Sequence, residues 1–155
     1  MSTFLGHIEV GLDAKGRVAI PACFRKVLVE NNPNGRVFFR KDIYEDCLIF
    51  YPENVWNETV QDLRQGLNEW DPEDRMLLAQ FSDEARELEM DTQNRVLLNK
   101  NTLSSIHSAV SQKVCFVGMF DKFALWDVDT YEKKRMDKQT FANKLKEKMT
   151  NKHAE

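Results

Sequence analysis

Asp13-Ala14-Lys15-Gly16-Arg17 sets a carboxylate four residues ahead of a guanidinium, with a lysine and a glycine between them. An Asp heading a tight turn accepts backbone N–H bonds, and Gly16 takes positive φ without a Cβ clash. The two cations are then left at the tip of a narrow hairpin. Their chemistry is anion recognition: Lys meets a phosphate as a point charge, while Arg donates two parallel bonds to a phosphate or a guanine edge. Asp13 reads as the holder of the turn, because its own charge repels phosphate. From Asp13 to Lys26 there are four basic residues against one acidic, in a chain whose net charge is −3. Taken alone, the stretch is an ordinary solvated turn; what changes its weight is that it occurs twice.

Asp91-Thr92-Gln93-Asn94-Arg95-Val96-Leu97-Leu98 repeats Asp13 to Ile20 at an offset of 78 positions. Arg36 to Phe39 recur as Lys113 to Phe116, and Leu48 to Tyr51 as Phe123 to Trp126, at nearly the same offset. Three matches in order indicate a duplicated unit. A unit of about 45 residues buries too little surface to fold alone, so the two copies are expected to interleave their strands into one core with pseudo-twofold symmetry.

Other chemistries find little support. His7, His107 and His153 are far apart, and no HExxH, GxSxG or glycine-rich phosphate loop is present. The carboxylates Asp83, Glu84, Glu87 and Glu89 read as a solvated helix end, and His107 as packed or solvated. No enzyme activity, cofactor, metal or small-molecule substrate is expected. Cys23, Cys47 and Cys115 form no CxxC pattern, and each lies beside apolar residues, so all three are expected to be core thiols. No run approaches the ~18 apolar residues of a membrane helix, and the first residues carry Glu9 and Asp13 rather than a signal core. A cytoplasmic location without membrane association follows as the expectation.

The elements that must position the turns are legible in outline. HIEVGL alternates as a half-buried strand does, and Arg17 to Ile20 is the return strand, with Val18 and Ile20 on one face. Pro21 opens a helix whose inner face is Phe24, Val27 and Leu28. After the turn Asn32 to Gly35 come the strands VFFRK and CLIFY. The second copy repeats this order through ELEM, DTQN, RVLL, a helix near NTLSSIHSA, KVCFVG and FALWD. Residues 7–54 are thus a first repeat, 55–82 a helical connector, 85–128 a second, degenerate repeat, and 129–155 a basic helical tail. Asp71 caps the second connector helix. Trp56, Trp70 and Trp126 are expected in the core or at a subunit interface. In the tail, residues 132–155 carry eight Lys/Arg against four Asp/Glu, and Phe141, Leu145 and Met149 recur at spacing four. A short amphipathic helix is expected there, as a solvated tail or an auxiliary anchor.

The stretch D-x-K-G-R-V-x-I-P, here Asp13 to Pro21, resembles the signature of the AbrB-type swapped-hairpin fold. Two copies in about 150 residues, with FLG near the start and KFALWD in the second copy, resemble the MraZ family of bacterial transcriptional regulators from Phe4 to about Tyr131. The resemblance implies an α+β fold with a β-rich barrel made of two tandem βαββ repeats and flanking helices. It implies a ring-shaped homo-oligomer in the cytoplasm and nucleoid that binds repeated elements of promoter DNA, as a repressor of the division and cell-wall gene cluster. Carried over by position, the DNA-contacting residues are Lys15, Arg17 and Arg25 in the first copy and Arg95 in the second, with Lys100 as a substitute. Asp13, Gly16, Asp91 and Asn94 form the turns.

The second copy departs from that pattern. Asn94 stands for Gly, Asn99 for Pro, Gln93 faces Lys15, and Thr102-Leu103 replaces Leu-Arg. The first copy is therefore expected to carry most of any DNA contact. The rival expectation is a protein-binding ring scaffold or an antitoxin-like regulator of the same fold.

Overall fold

A computed structural model describes residues 2–154, the side chains of 153 and 154 excepted, so the His153 side chain and the last residue of the tail lie outside it. The first copy supplies β1 (His7–Gly11), β2 (Arg17–Ala19), α1 (Ala22–Asn31), β3 (Val37–Lys41) and β4 (Leu48–Pro52). The connector is α2 (Glu53–Gln65) and α3 (Pro72–Asp83). The second copy supplies β5 (Arg86–Glu87), β6 (Arg95–Leu97), α4 (Lys100–Ser105), β7 (Lys113–Gly118) and β8 (Phe123–Asp127), followed by α5 (Val128–Lys134) and α6 (Lys138–Ala154).

The copies interleave their strands: β1 pairs β7, β3 pairs β5, β4 pairs β8 and β2 pairs β6. The six-stranded sheet runs β1-β7-β8-β4-β3-β5, an order that maps onto itself when the copies are exchanged, and β2 pairs β6 in a separate ribbon. Register gives the axis. At the centre of the ribbon Val18 faces Val96, and at the centre of the sheet Ile49 faces Ala124. Each is a residue opposite its own equivalent in the other copy, which antiparallel pairing places on a twofold axis.

Burial follows the alternation of the strands. Leu48, Phe50, Phe123 and Leu125 point into the main core, where Phe50 stacks on Phe123 with centroids 5.0 Å apart. Phe24 enters the same core from α1, 5.0 Å from Phe123 and 5.5 Å from Phe4, with Val27 and Leu28 buried beside it. The opposite face of the sheet, Ile49, Tyr51 and Ala124, is covered by Val55 and Trp56 of α2.

Several expectations are corrected. The fold is α+β, with an antiparallel six-stranded sheet and a two-stranded ribbon, and among the described residues no pairing joins β1 to β5. The second copy's first strand is Arg86–Glu87, not ELEM; two residues give an edge too short to pair further. Cys47 and Cys115 are buried but Cys23 is exposed, because helical periodicity turns it away from the face that buries Phe24. Trp56 is sandwiched between Phe38 and Phe81, whereas Trp70, in the bend between α2 and α3, is 92% exposed and belongs to no core of this chain. His107 lies past the end of α4 with φ 61°, its ring bonded to Asp46 at 2.8 Å.

Candidate nucleic-acid interface

Each turn is built from its own carboxylate. Asp13 Oδ1 accepts the N–H groups of Lys15 and Arg17, both at 2.9 Å, and the Gly16 N–H is donated to the Asp13 carbonyl at 3.1 Å. Gly16 sits at φ 86° as the turn requires. The second turn repeats the arrangement: Asp91 Oδ1 accepts from Gln93 and Arg95 at 2.9 Å, and Asn94 takes φ 60°. Asn is the next most tolerant residue of left-handed backbone, which is why the turn survives the loss of glycine.

The two turns lock into one another. Leu98 donates its N–H to the Gly16 carbonyl at 2.9 Å, and Ile20 donates to the Asn94 carbonyl at 3.1 Å. A Cβ on Gly16 would lie 2.7 Å from the Leu98 carbonyl oxygen, so glycine here serves the close approach as well as the turn.

Lys15 is exposed at the tip. Arg17 is half-buried, its Nε donated to Asp13 Oδ2 at 2.6 Å. Arg95 donates Nε to Asp91 Oδ2 at 2.9 Å, and its Nη1 lies 3.8 Å from Asp13 Oδ2. These donors hold the carboxylates ionised. The Arg17 backbone N–H, with the Arg17 guanidinium and the Lys15 N–H, brings Asp13 down to about 2. The Arg95 N–H, with that of Gln93 and the Arg95 guanidinium, lowers Asp91. In the ribbon Arg17 faces Leu97 and Ala19 faces Arg95, so both arginines lie on the side opposite buried Val18 and Val96.

The remaining cations are placed less centrally. Arg25, on α1, donates Nε to the Ile20 carbonyl at 3.1 Å and ties the helix to the end of the return strand. Lys100 is exposed in the first turn of α4. That helix is capped by Asn99, whose side chain accepts the Thr102 N–H at 2.8 Å. The departure from proline thus replaces one kind of helix start with another. Sequence reasoning missed Arg40, which is 4% exposed. It donates to the Phe81 carbonyl and to Glu84, at 3.1 Å each, and lies over the Phe81 ring. It pins the end of α3 to the sheet. An arginine directly after the apolar run Val37-Phe38-Phe39 of β3 was the available signal.

Among the described residues no three metal-ligating side chains gather, and no helix is long and apolar enough to cross a membrane. The family profile described as "MraZ protein, putative antitoxin-like" matches this chain twice, over residues 3–80 and 81–152. The chain belongs to the MraZ family. Its two profile matches are the two copies that interleave in the fold. The chain is 38% identical over 149 residues to the "Transcriptional regulator MraZ" of Bacteroides fragilis strain YCH46, covering 96% of this chain and 92% of that one. It is 38% identical over 153 residues to the protein of that name from Phocaeicola vulgatus, covering 98% and 97%. Against the one from Erwinia tasmaniensis it is 32% identical over 152 residues, covering 93% and 97%.

Proposed function

We propose that this chain is a DNA-binding transcriptional regulator. It acts as a repressor on repeated promoter elements upstream of the division and cell-wall genes, in the cytoplasm at the nucleoid. The observation that carries the reading is the paired turn. Arg17 and Arg95 flank one twofold axis on the outer side of the β2–β6 ribbon, with Lys15 solvated at the tip, and a two-stranded ribbon fits the major groove. The names of the relatives support the regulatory role.

One ribbon offers too few cations for tight specific binding near physiological salt. Affinity must come from several ribbons held together, so that later contacts form at high effective concentration. A ring-shaped homo-oligomer on evenly spaced elements supplies that arrangement. In this reading Arg25 and the exposed Lys100 add further phosphate contacts to those of the two turns.

The test is a gel-shift assay on DNA upstream of the protein's own gene, with the intact chain and Arg17→Ala. A shift by the intact chain that Arg17→Ala loses supports the reading. A shift by neither moves the function to a protein-binding scaffold or antitoxin-like regulator, which the shielding of both guanidinium groups by Asp13 and Asp91 would suit.

A further inference from the structure

Two surfaces of this chain lack a counterpart of their own, and each has what the other lacks. The first is α6, on which no described side chain is buried. Lys134 of α5 pairs with Glu45 at 3.3 Å, and among the described residues no lysine after it in the sequence forms an ion pair. Phe141, Leu145 and Met149 fall one turn apart in a single row and are 56%, 50% and 47% exposed. Lys144, Lys148 and Lys152 form the adjoining row, since residues three apart are neighbours on a helix. Unpaired like charges four residues apart weaken a helix, and the apolar row gains nothing while it faces water.

The second surface is the arm made by α2 and α3. Residues 53–84 hold nine Asp/Glu and two Lys/Arg. Glu53, Glu69 and Glu84 are taken by Arg36, Arg64 and Arg40, but Glu58, Asp62 and Glu73 have no cation among the described residues. On the same arm Trp70 is almost wholly exposed, and Met76 and Leu77 are 59% and 48% exposed. A groove of about 540 Å³ on the arm is lined by Val60, Leu67 and Trp70 together with Arg64 and its partner Glu69. Exposed apolar side chains on an arm that carries nine carboxylates against only Arg64 and Arg75 mark an interaction surface for a cationic, partly apolar partner.

Among the described residues no hydrogen bond or ion pair joins the two surfaces within one chain. The arm leaves from β4 and is pinned by Arg40, while α6 follows α5 and carries no buried side chain. We infer that α6 of one copy lies on the α2–α3 arm of a second copy of this chain. The lysine row faces the arm's free carboxylates, and Phe141, Leu145 and Met149 cover Trp70, Met76 and Leu77. DNA phosphates would satisfy the lysines but leave the apolar row bare; the arm satisfies both. Because donor and acceptor surfaces differ, the contact is heterologous, each copy giving its tail to one neighbour and receiving a tail from another. This rests on the homo-oligomer of the proposed function and names the contact that builds it.

Charge reversal in the full chain tests it. One variant carries Lys144→Glu, Lys148→Glu and Lys152→Glu; the other carries Glu58→Lys, Asp62→Lys and Glu73→Lys, with circular dichroism to confirm that both fold. By sedimentation velocity each variant alone should fall from the assembly to a smaller species, and an equimolar mixture should recover the assembly, because each tail then meets an arm of opposite charge. A second readout is Lys148→Cys with Glu73→Cys in a Cys23→Ser background, which should give a ladder of disulfide-linked chains. Unchanged size for both reversal variants overturns the inference, as does an unmodified chain that sediments as a monomer. So does a disulfide confined within one chain, or loss of DNA affinity by the tail variant at unchanged size. Arg17→Ala measured alongside separates the two readings. It should retain the assembly and lose the gel shift, and retention of the shift would sink the DNA site while leaving the docking contact standing.

Discussion

Arg95, in the second copy, reaches across to the first, its Nη1 3.8 Å from Asp13 Oδ2 while its Nε is donated to Asp91 at 2.9 Å. One carboxylate therefore serves both turns. The swapped backbone bonds, Leu98 to Gly16 and Ile20 to Asn94, make the same connection through the main chain. The two copies of the motif form a single four-segment knot rather than two independent loops.

Acid should loosen this knot in a defined window. Asp13 has its carboxyl lowered to about 2, so it binds protons less readily folded than unfolded. A depressed carboxylate contributes stability that is fully present above about pH 4 and is lost as pH falls toward its folded value. Urea unfolding at a series of pH values should show the intact chain losing stability from about pH 4 to about pH 2. Asp13→Asn should start less stable at neutral pH and lose less over that interval. Parallel curves for the two proteins would contradict the assignment.

Glycine and asparagine at the equivalent turn positions should not be interchangeable with alanine. Gly16→Ala combines φ 86° with a Cβ 2.7 Å from the Leu98 carbonyl, and should cost about 2–4 kcal/mol in chemical denaturation. Asn94→Gly restores a residue suited to φ 60° and should change stability by less than ~1 kcal/mol.

The two arginines should differ in their effect on DNA. Arg17 has Lys15 beside it, whereas Arg95 follows Gln93 and is drawn toward two carboxylates. By titrated gel shift, Arg17→Ala should abolish binding, since a lost bidentate contact is worth ~1–3 kcal/mol at each of several ribbons. Arg95→Ala should weaken binding only a few-fold, roughly ~1 kcal/mol. Equal losses would refute the asymmetry between the copies.

Thiol chemistry offers a check that needs no mutation. Cys23 is exposed on the outer side of α1, while burial pushes Cys47 and Cys115 up to about 12. A thiol-reactive dye should label one cysteine rapidly in the native protein and all three only after unfolding, with peptide mapping placing the fast site at Cys23.

The candidate turns were legible residue by residue because their chemistry is local. An Asp that caps its own turn, a residue tolerant of positive φ and a return strand with Val18 and Ile20 inward all act within a few positions. The interleaving was legible too, since a short unit cannot bury a core alone. Cys23 shows where local reading stops. Its apolar neighbours resemble those of Cys47, yet one helical step turns Phe24 toward Phe116 and Phe123 and leaves Cys23 exposed. Trp70 likewise carries no local mark that its bend would point to solvent rather than inward.

What the amino-acid order determined by itself is the duplication, visible when the chain is matched against itself 78 positions on, together with the identity of the turns and their inward-facing strand residues, which depend on neighbours within about one turn or one strand. Only the folded chain decided that Val18 meets Val96 and Ile49 meets Ala124, that Arg95 borrows Asp13, and that Arg40 holds the arm in place. These contacts join residues far apart in sequence. Their partners are selected by strand register and by the twofold relation between copies, which no local pattern encodes.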